Sequence, residues 1–339
     1  MNLKYAEFYI TNVCNLNCTN CNRFNNFAFA GHQSWNDYKD SYTQWADKLS
    51  IDWIAVLGGE PMLAPDFMDW VVGITKLWPS SKFSIVTNGT QLNRHDALYA
   101  VMLENKHRMF LEVSMHGPSL KELITKNVTQ FLKGNITKHY SSKFIAKEQW
   151  QSSWNAIKGD NWPDCPTADD FDTMPDYIKH ECLTNYELGP CQWQDENGVQ
   201  VIVSPNDRFF DSSVIFNNAT GTISLQNSDP ELANKVCYSK YCHHFIRGKL
   251  HKCGVVGILP EFVDQFETGI SESNRDLLMS YKPADHTWNH ADLAKFLQGL
   301  ESGETIEQCK FCPSEITPKS FDAGTKKIKI FRKVVKIQH

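Results

Sequence analysis

"TNVCNLNCTNCNRF", residues 11–24, sets Cys14, Cys18 and Cys21 in a polar stretch directly behind the apolar run "AEFYIT" at 6–11. A run of that length bounded by Thr and Asn reads as a strand covered on both faces, which puts the three thiols at its carboxyl end. Outward from there, "WIAVLG" (53–58), "FSIVTN" (83–88) and "FLEVS" (110–114) repeat the pattern. Between them, Tyr38, Tyr42, Trp45 and Leu49 recur at helical spacing, as do Phe67, Trp70, Val71 and Ile74 behind a start at Asp66. Such alternation predicts an α/β fold, a parallel sheet or barrel whose ligands lie at the carboxyl ends of its strands. The unusual residues all fall at those ends.

The rest of the chain is less regular. "PSLKELITKNVTQFLKG", from residue 118, predicts one helix, but the Trp-, Asp- and Pro-rich stretch after it has neither period, so about 118–198 reads as an irregular insertion covering the site. A strand returns at "VQVIVS" (199–204). The expected organisation is a main domain over 1–216, a small cysteine-bearing domain over 217–325 and a basic tail over 326–339. Within the second part, "HHFIRGKLHKC" predicts a hairpin turning at Arg247 and Gly248. His243 and His244 are expected on its surface.

A length of 339 residues suits one large domain with a smaller appendage. With 34 basic and 39 acidic side chains the net charge is −5, so a nucleic-acid partner is not expected. The sequence has no basic start followed by an apolar core and no run of eighteen apolar residues, which predicts neither signal peptide nor membrane span. A cytoplasmic location follows as the expectation. In a reducing compartment, eleven cysteines point to metal ligands or catalytic groups before disulfides.

Three thiolates from one segment can hold three corners of a four-iron, four-sulfur cluster and leave the fourth iron open to a substrate. A zinc site completed by a remote residue such as His32 is the alternative. In "LGGEP" (57–61), Gly58 and Gly59 would let backbone approach a bound ligand, and Glu60 would stand at a strand end, where a carboxylate suits an ammonium group. A second group combines Cys237, Cys242 and Cys253 with "CKFC", which adds Cys309 and Cys312. Their spacing suits a closed tetrahedral zinc or cubic iron–sulfur site. Cys165, Cys182 and Cys191 are expected to be thiols without a ligand role.

The pattern CxxxCxxC at Cys14, Cys18 and Cys21, the GGE turn at Gly58, Gly59 and Glu60, "TNG" at Thr87–Gly89 and "VSMHG" at Val113–Gly117 resemble the radical S-adenosylmethionine (radical SAM) family. The resemblance covers roughly residues 1–120 and implies a partial (βα)6 TIM-like barrel. It also implies a [4Fe-4S] cluster whose unique iron chelates the amino and carboxylate groups of S-adenosylmethionine, with the GGE segment on the same amino group and Asn88 and Ser114 as further cofactor contacts. The family usually carries an aromatic residue before the third cysteine; here Asn20 stands there, with Phe24 as the nearest substitute. The implied chemistry is reductive cleavage of the cosubstrate to methionine and a 5′-deoxyadenosyl radical, with electrons from a donor such as flavodoxin or ferredoxin.

The second group resembles the twitch domain, the shortened SPASM domain, in which four cysteines hold an auxiliary [4Fe-4S] cluster. Five candidates compete for four places: Cys253, Cys309 and Cys312 lead, and Cys237 fits the family's spacing through Gly248 better than Cys242. The expected activity is that of a radical SAM oxidoreductase dehydrogenating, oxidising or rearranging a small polar substrate, sugar- or aminocyclitol-like. Its catalytic residues are unassigned. A peptide-modifying maturase comes second, because a first strand near residue 6 leaves no room ahead of it for a leader-binding domain. The non-enzymatic reading is a zinc or iron–sulfur interaction module.

Overall fold

The structure, a computed structural model, describes residues 1–140, 191–205, 208–209, 211–237, 239–266, 268–315 and 319–320. Its first four strands, β1 (Asn2–Tyr9), β2 (Ser50–Leu57), β3 (Lys82–Thr87) and β4 (Met109–Met115), lie within a residue or a few of the apolar runs that predict them. They alternate with helices α1 (Trp35–Lys48), α2 (Phe67–Leu77), α3 (Ala97–Glu104) and α4 (Lys121–Phe131). Asp66 does cap α2 by position, but its carboxylate accepts the Trp35 N–H at 2.6 Å, so it fastens the start of α1 to the start of α2.

After α4 come β5 (Ile136–Tyr140), β6 (Cys191–Asp195) and β7 (Gln200–Pro205), then the short strands β8 (Arg208–Phe209), β9 (Val214–Asn217) and β10 (Thr222–Leu225). The carboxyl-terminal part holds α5 (Pro230–Lys235), β11 (His243–Ile246), β12 (Lys249–His251), α6 (Gly254–Gln265), α7 (Glu272–Ser280), β13 (Ala284–Asp285), α8 (His290–Glu301) and β14 (Lys319–Ser320). Ten strands make one sheet in the order β13-β12-β11-β1-β2-β3-β4-β7-β6-β5. The six from β11 to β7 are parallel. An open run of parallel strands with intervening helices is the α/β architecture expected for an incomplete barrel. The stretch expected to be irregular supplies α4 and two antiparallel strands; its residues 141–190, with Cys165 and Cys182, lie outside the described residues, as does the basic tail.

Alternation along β1 divides its side chains between two cores. Ala6, Phe8 and Ile10 join Tyr42, Trp45 and Trp70 under the helices. Tyr9, on the opposite face, joins Phe24, Phe27 and Phe29 of the cysteine segment and Ile258, Leu259, Phe262 and Phe266 of α6. At about 25 cal/mol per Å2 of buried apolar surface, each of these aromatic side chains stabilises the fold by roughly 2–3 kcal/mol.

The large sheet continues across the expected boundary at 216/217. All four residues of β11 are buried, so the strand needs cover on both faces, and it takes the open edge of β1 in register Ala6 with His243 and Phe8 with Phe245. The β11–β12 hairpin turns at Arg247 and Gly248, both at positive φ (49° and 73°), the mirror-image turn whose twist matches a tight two-residue connection. His243 and His244 are correspondingly interior residues, 3% and 1% exposed, which overturns the expectation of a surface position.

Candidate functional site

The chain leaving β1 lies along the turn leaving β2. Ile10 N–H donates to Leu57 O at 2.9 Å, Gly59 N–H to Thr11 O at 2.7 Å and Glu60 N–H to Val13 O at 2.8 Å. A Cβ on Gly58 would stand 2.6 Å from Thr11 O, and one on Gly59 would stand 2.5 Å from Val13 O. The two glycines are therefore required by the cysteine segment itself, whose backbone passes too close for any side chain.

Glu60 is wholly buried. Its carboxylate accepts the Thr87 hydroxyl at 2.7 Å, the Asn88 N–H at 2.8 Å and the Met62 N–H at 3.2 Å. Burial pushes its carboxyl up to about 7, and those three donors oppose the shift. With both oxygens engaged by protein, the carboxylate clamps the β2 and β3 ends together.

From that clamp, Asn88 reaches the cysteine segment. Its side-chain amide donates to Asn15 Oδ1 at 3.0 Å and lies 3.8 Å from the Cys14 sulfur. Cys14 also accepts the Leu16 N–H at 3.4 Å, and the Cys21 sulfur lies 3.6 Å from Asn25 Oδ1. Asn25 is buried, with its amide on Asn12 O, so it holds both ends of the loop that carries the thiols. Ser114 sits at the end of β4, half-buried, opposite Ser204 on β7.

Asn20, where an aromatic residue was expected, adopts left-handed backbone with φ 57°. Phe24 is no substitute: it is fully buried, 5.0 Å ring to ring from Phe262. His32 spends its Nδ1 on the Thr11 hydroxyl at 2.8 Å.

Burial pushes the Cys237 thiol up to about 12, with Cys253 and Cys309 adding to it. Burial raises Cys312 as well, followed by Cys253, Cys237 and Cys309, so these four sulfurs share one electrostatic neighbourhood. Burial raises the Tyr5 hydroxyl of β1, followed by Glu7 and then by Cys242. The eight described cysteines outside β6 stand as thiols. Among the described residues no three His, Cys, Asp or Glu side chains close tightly enough to grip a single ion.

One polar cluster escaped the sequence reading. Glu7, on the β1 face opposite the helices, meets Arg23 at 3.0 Å and His244 Nε2 at 2.6 Å, and accepts the Tyr5 hydroxyl at 2.9 Å. Burial alone would raise the Glu7 carboxyl, but His244 and Arg23 outweigh it and hold the group below the ordinary carboxylate range. Burial lowers His244 despite that carboxylate. Arg23, two residues past Cys21, thus ties the cysteine segment to β1 and to β11. A lone acid inside the apolar run "AEFYIT" was the available signal, since a buried charge needs a partner. Toward the amino ends of the strands the same face carries Tyr5, Trp53 and Phe110, successive ring pairs each 5.8 Å apart.

No family model matches the sequence, and no curated protein does. Similar solved structures include hexahistidine-tagged anSMEcpe with bound AdoMet, at 19% identity and a TM-score of 0.31, covering 39% of this chain and 40% of that one. Another, native anSMEcpe, was solved with AdoMet and a Kp18Cys peptide, at the same identity, TM-score and coverage. Streptococcus suis SuiB bound to S-adenosylmethionine aligns at 11% identity and a TM-score of 0.40, covering 86% of this chain and 65% of that one. The match spans less than two thirds of the length of each of these chains.

Proposed function

We propose that the chain is a radical SAM enzyme. The observation that carries the reading is convergence: the backbone of the Cys14–Cys18–Cys21 segment is bonded into the GGE turn, and the GGE carboxylate into the TNG turn, whose Asn88 returns to the Cys14 sulfur. Three sequence motifs thereby meet at the carboxyl ends of three adjacent parallel strands, where α/β proteins bind their ligands.

Cys14, Cys18 and Cys21 would hold a [4Fe-4S] cluster, with S-adenosylmethionine bound beside the backbone of Gly58, Gly59 and Glu60 and the side chains of Asn88 and Ser114. Cys237, Cys253, Cys309 and Cys312 would hold a second, auxiliary [4Fe-4S] cluster, and a flavodoxin or ferredoxin would deliver electrons. When bound, the first cluster and its cosubstrate supply a 5′-deoxyadenosyl radical able to take hydrogen from an unactivated C–H bond. The protein's part is to position and to exclude water. Glu60 fixes the spacing of the β2 and β3 ends, Asn25 and Asn88 fix the thiol loop, and Glu7 with Arg23 holds that loop down on β1.

The reaction class proposed is oxidation, dehydrogenation or rearrangement of a small polar, sugar- or aminocyclitol-like substrate. A peptide, the class of molecule bound in one of the anSMEcpe structures, is the second reading. Anaerobic reconstitution followed by electron paramagnetic resonance is the test. A cluster signal that changes on addition of S-adenosylmethionine, with 5′-deoxyadenosine formed under dithionite, is expected. An iron-free zinc protein, or a cluster indifferent to the cosubstrate, would refute the assignment. Parallel turnovers with aminocyclitols and with peptides then separate the two substrate classes.

A further inference from the structure

Tyr9 closes β1, five residues ahead of Cys14, and is 2% exposed. Its ring packs with Phe24, Phe27 and Phe262, and the Arg23 guanidinium carbon lies 5.8 Å from the ring centroid. Its carbonyl accepts the Gln33 side-chain amide, so the residue is held at both ends. The hydroxyl at the tip of that ring is buried and has no hydrogen-bond partner among the described residues. A hydroxyl stripped of water without a replacement is costly, and a phenol keeps its proton at neutral pH, so Tyr9 presents a buried donor in need of an acceptor. Burial pushes this phenol further above its ordinary range; Arg23 opposes the shift, and Cys21, Glu261 and Cys14 add to it, which makes those four groups its electrostatic neighbours.

Arg23 has no acceptor to offer. The Glu261 carboxylate meets Arg247 at 2.6 Å and the Gln265 amide at 3.4 Å. Cys14 accepts the Leu16 N–H and has the Asn88 amide beside it, so its sulfur is already served by donors. Cys21 is arranged the other way. As a thiol it donates to Asn25 Oδ1 at 3.6 Å, and Asn25 cannot turn to present its amide, because that amide is committed to Asn12 O. A cysteine that ligates iron does so as the thiolate, so loading the site takes the proton from Cys21 and leaves an acceptor sulfur facing a carbonyl oxygen. We propose that the Tyr9 hydroxyl donates a hydrogen bond to the Cys21 thiolate when the amino-terminal cluster is bound, and that this bond raises the reduction potential of that cluster. The proposal rests on the radical SAM reading of Cys14, Cys18 and Cys21. Reduction adds one electron, delivered by the flavodoxin or ferredoxin, and makes the ligand sulfurs more negative; a donor on one of them favours the reduced form, while Tyr9 keeps its proton throughout. Acting through Cys21, Tyr9 is a positioning residue.

A mediated redox titration of the anaerobically reconstituted full chain, with dithionite as reductant and electron paramagnetic resonance as the readout, tests it. The signal of the amino-terminal cluster is the one that Cys18→Ala abolishes. Tyr9→Phe keeps the ring and removes only the hydroxyl. In that variant the amino-terminal cluster should become at least threefold harder to reduce, a midpoint lower by about 28 mV for one electron, and the second cluster should keep its midpoint. The metal-free variant should be no less stable to urea than the metal-free wild type, because the lost hydroxyl has no partner there. A packing role alone would move that stability and leave the midpoint in place. A smaller fall, a rise, an equal fall at both clusters, failure of Tyr9→Phe to load the amino-terminal cluster, or a loss of metal-free stability would each overturn the proposal while leaving the radical SAM reading intact. If Cys18→Ala abolishes no signal, the radical SAM reading itself is refuted, and the Tyr9 bond falls with it.

Discussion

At the residue scale, Glu60 and Gly59 each join the cysteine-bearing end of the sheet to its neighbours. Glu60 faces three donors, and a glutamine there offers one acceptor oxygen and an amine that cannot accept. Glu60→Gln should therefore destabilise the fold by about 1–3 kcal/mol, the cost of leaving a buried donor unmade, as read from urea unfolding of the iron-free protein at neutral pH. Gly59→Ala forces a Cβ against Val13 O, 2.5 Å away on a backbone that has nowhere to go. Iron analysis should find the amino-terminal thiol site emptied or weakened, while the second cysteine group keeps its metal. The cysteines, the GGE turn and Asn88 were legible because their types and spacing are unusual. Their hydrogen-bond partners were not, because which oxygen meets which N–H depends on a close approach of two strand ends that no local pattern encodes.

At the scale of elements, the β11–β12 hairpin was legible from its Arg-Gly turn and its alternating pattern, but its depth was not. A strand beginning with two histidines reads as polar; only the open edge of β1, some 230 residues earlier in the chain, makes it interior. Burial lowers His243 to about 4 and His251 to about 3. Both folded values lie below the unfolded value near 6.5, so between them the unfolded chain binds more protons and stability is lost as pH falls from about 6.5 toward 4. Each histidine contributes a slope of about 1.4 kcal/mol per pH unit over that window. Glu60 runs the other way, since burial raises it, so the measurement is a difference: urea stability of wild type minus His251→Gln, from pH 4.5 to 7. That difference should grow with pH at the one-histidine slope. A flat difference would mean that folding leaves the pKa of His251 unshifted.

For the whole molecule, the two cysteine groups are joined by one core. Phe24, Phe27 and Phe29 follow the first group directly, and Phe262 lies in α6, whose amino-terminal cap is Cys253 of the second. The proposed auxiliary cluster on Cys237, Cys253, Cys309 and Cys312 predicts a simple result. Alanine at Cys237, Cys253, Cys309 or Cys312 should lower bound iron from about eight to about four atoms per chain, one [4Fe-4S] cluster. Cys242→Ala should leave it near eight, and equal losses at Cys242 and Cys237 would reverse the assignment. In the sequence Cys237 fits the family's spacing through Gly248 better than Cys242, and these iron counts decide between them.

The parallel seam between β1 and β11 has a bearing on biosynthesis. As the polypeptide emerges from the ribosome, its first strand gains one neighbour early, from residues 50–57, and must wait for residues 243–246 to gain the other, with Phe8 stacked on Phe245 at 4.8 Å once both are made. Nascent chains stalled before that point keep a long hydrophobic edge unpaired, a template for self-association. A growing chain of this kind is a natural client for chaperones, and translation pauses placed beyond residue 246 should do far less harm to yield than pauses placed before it.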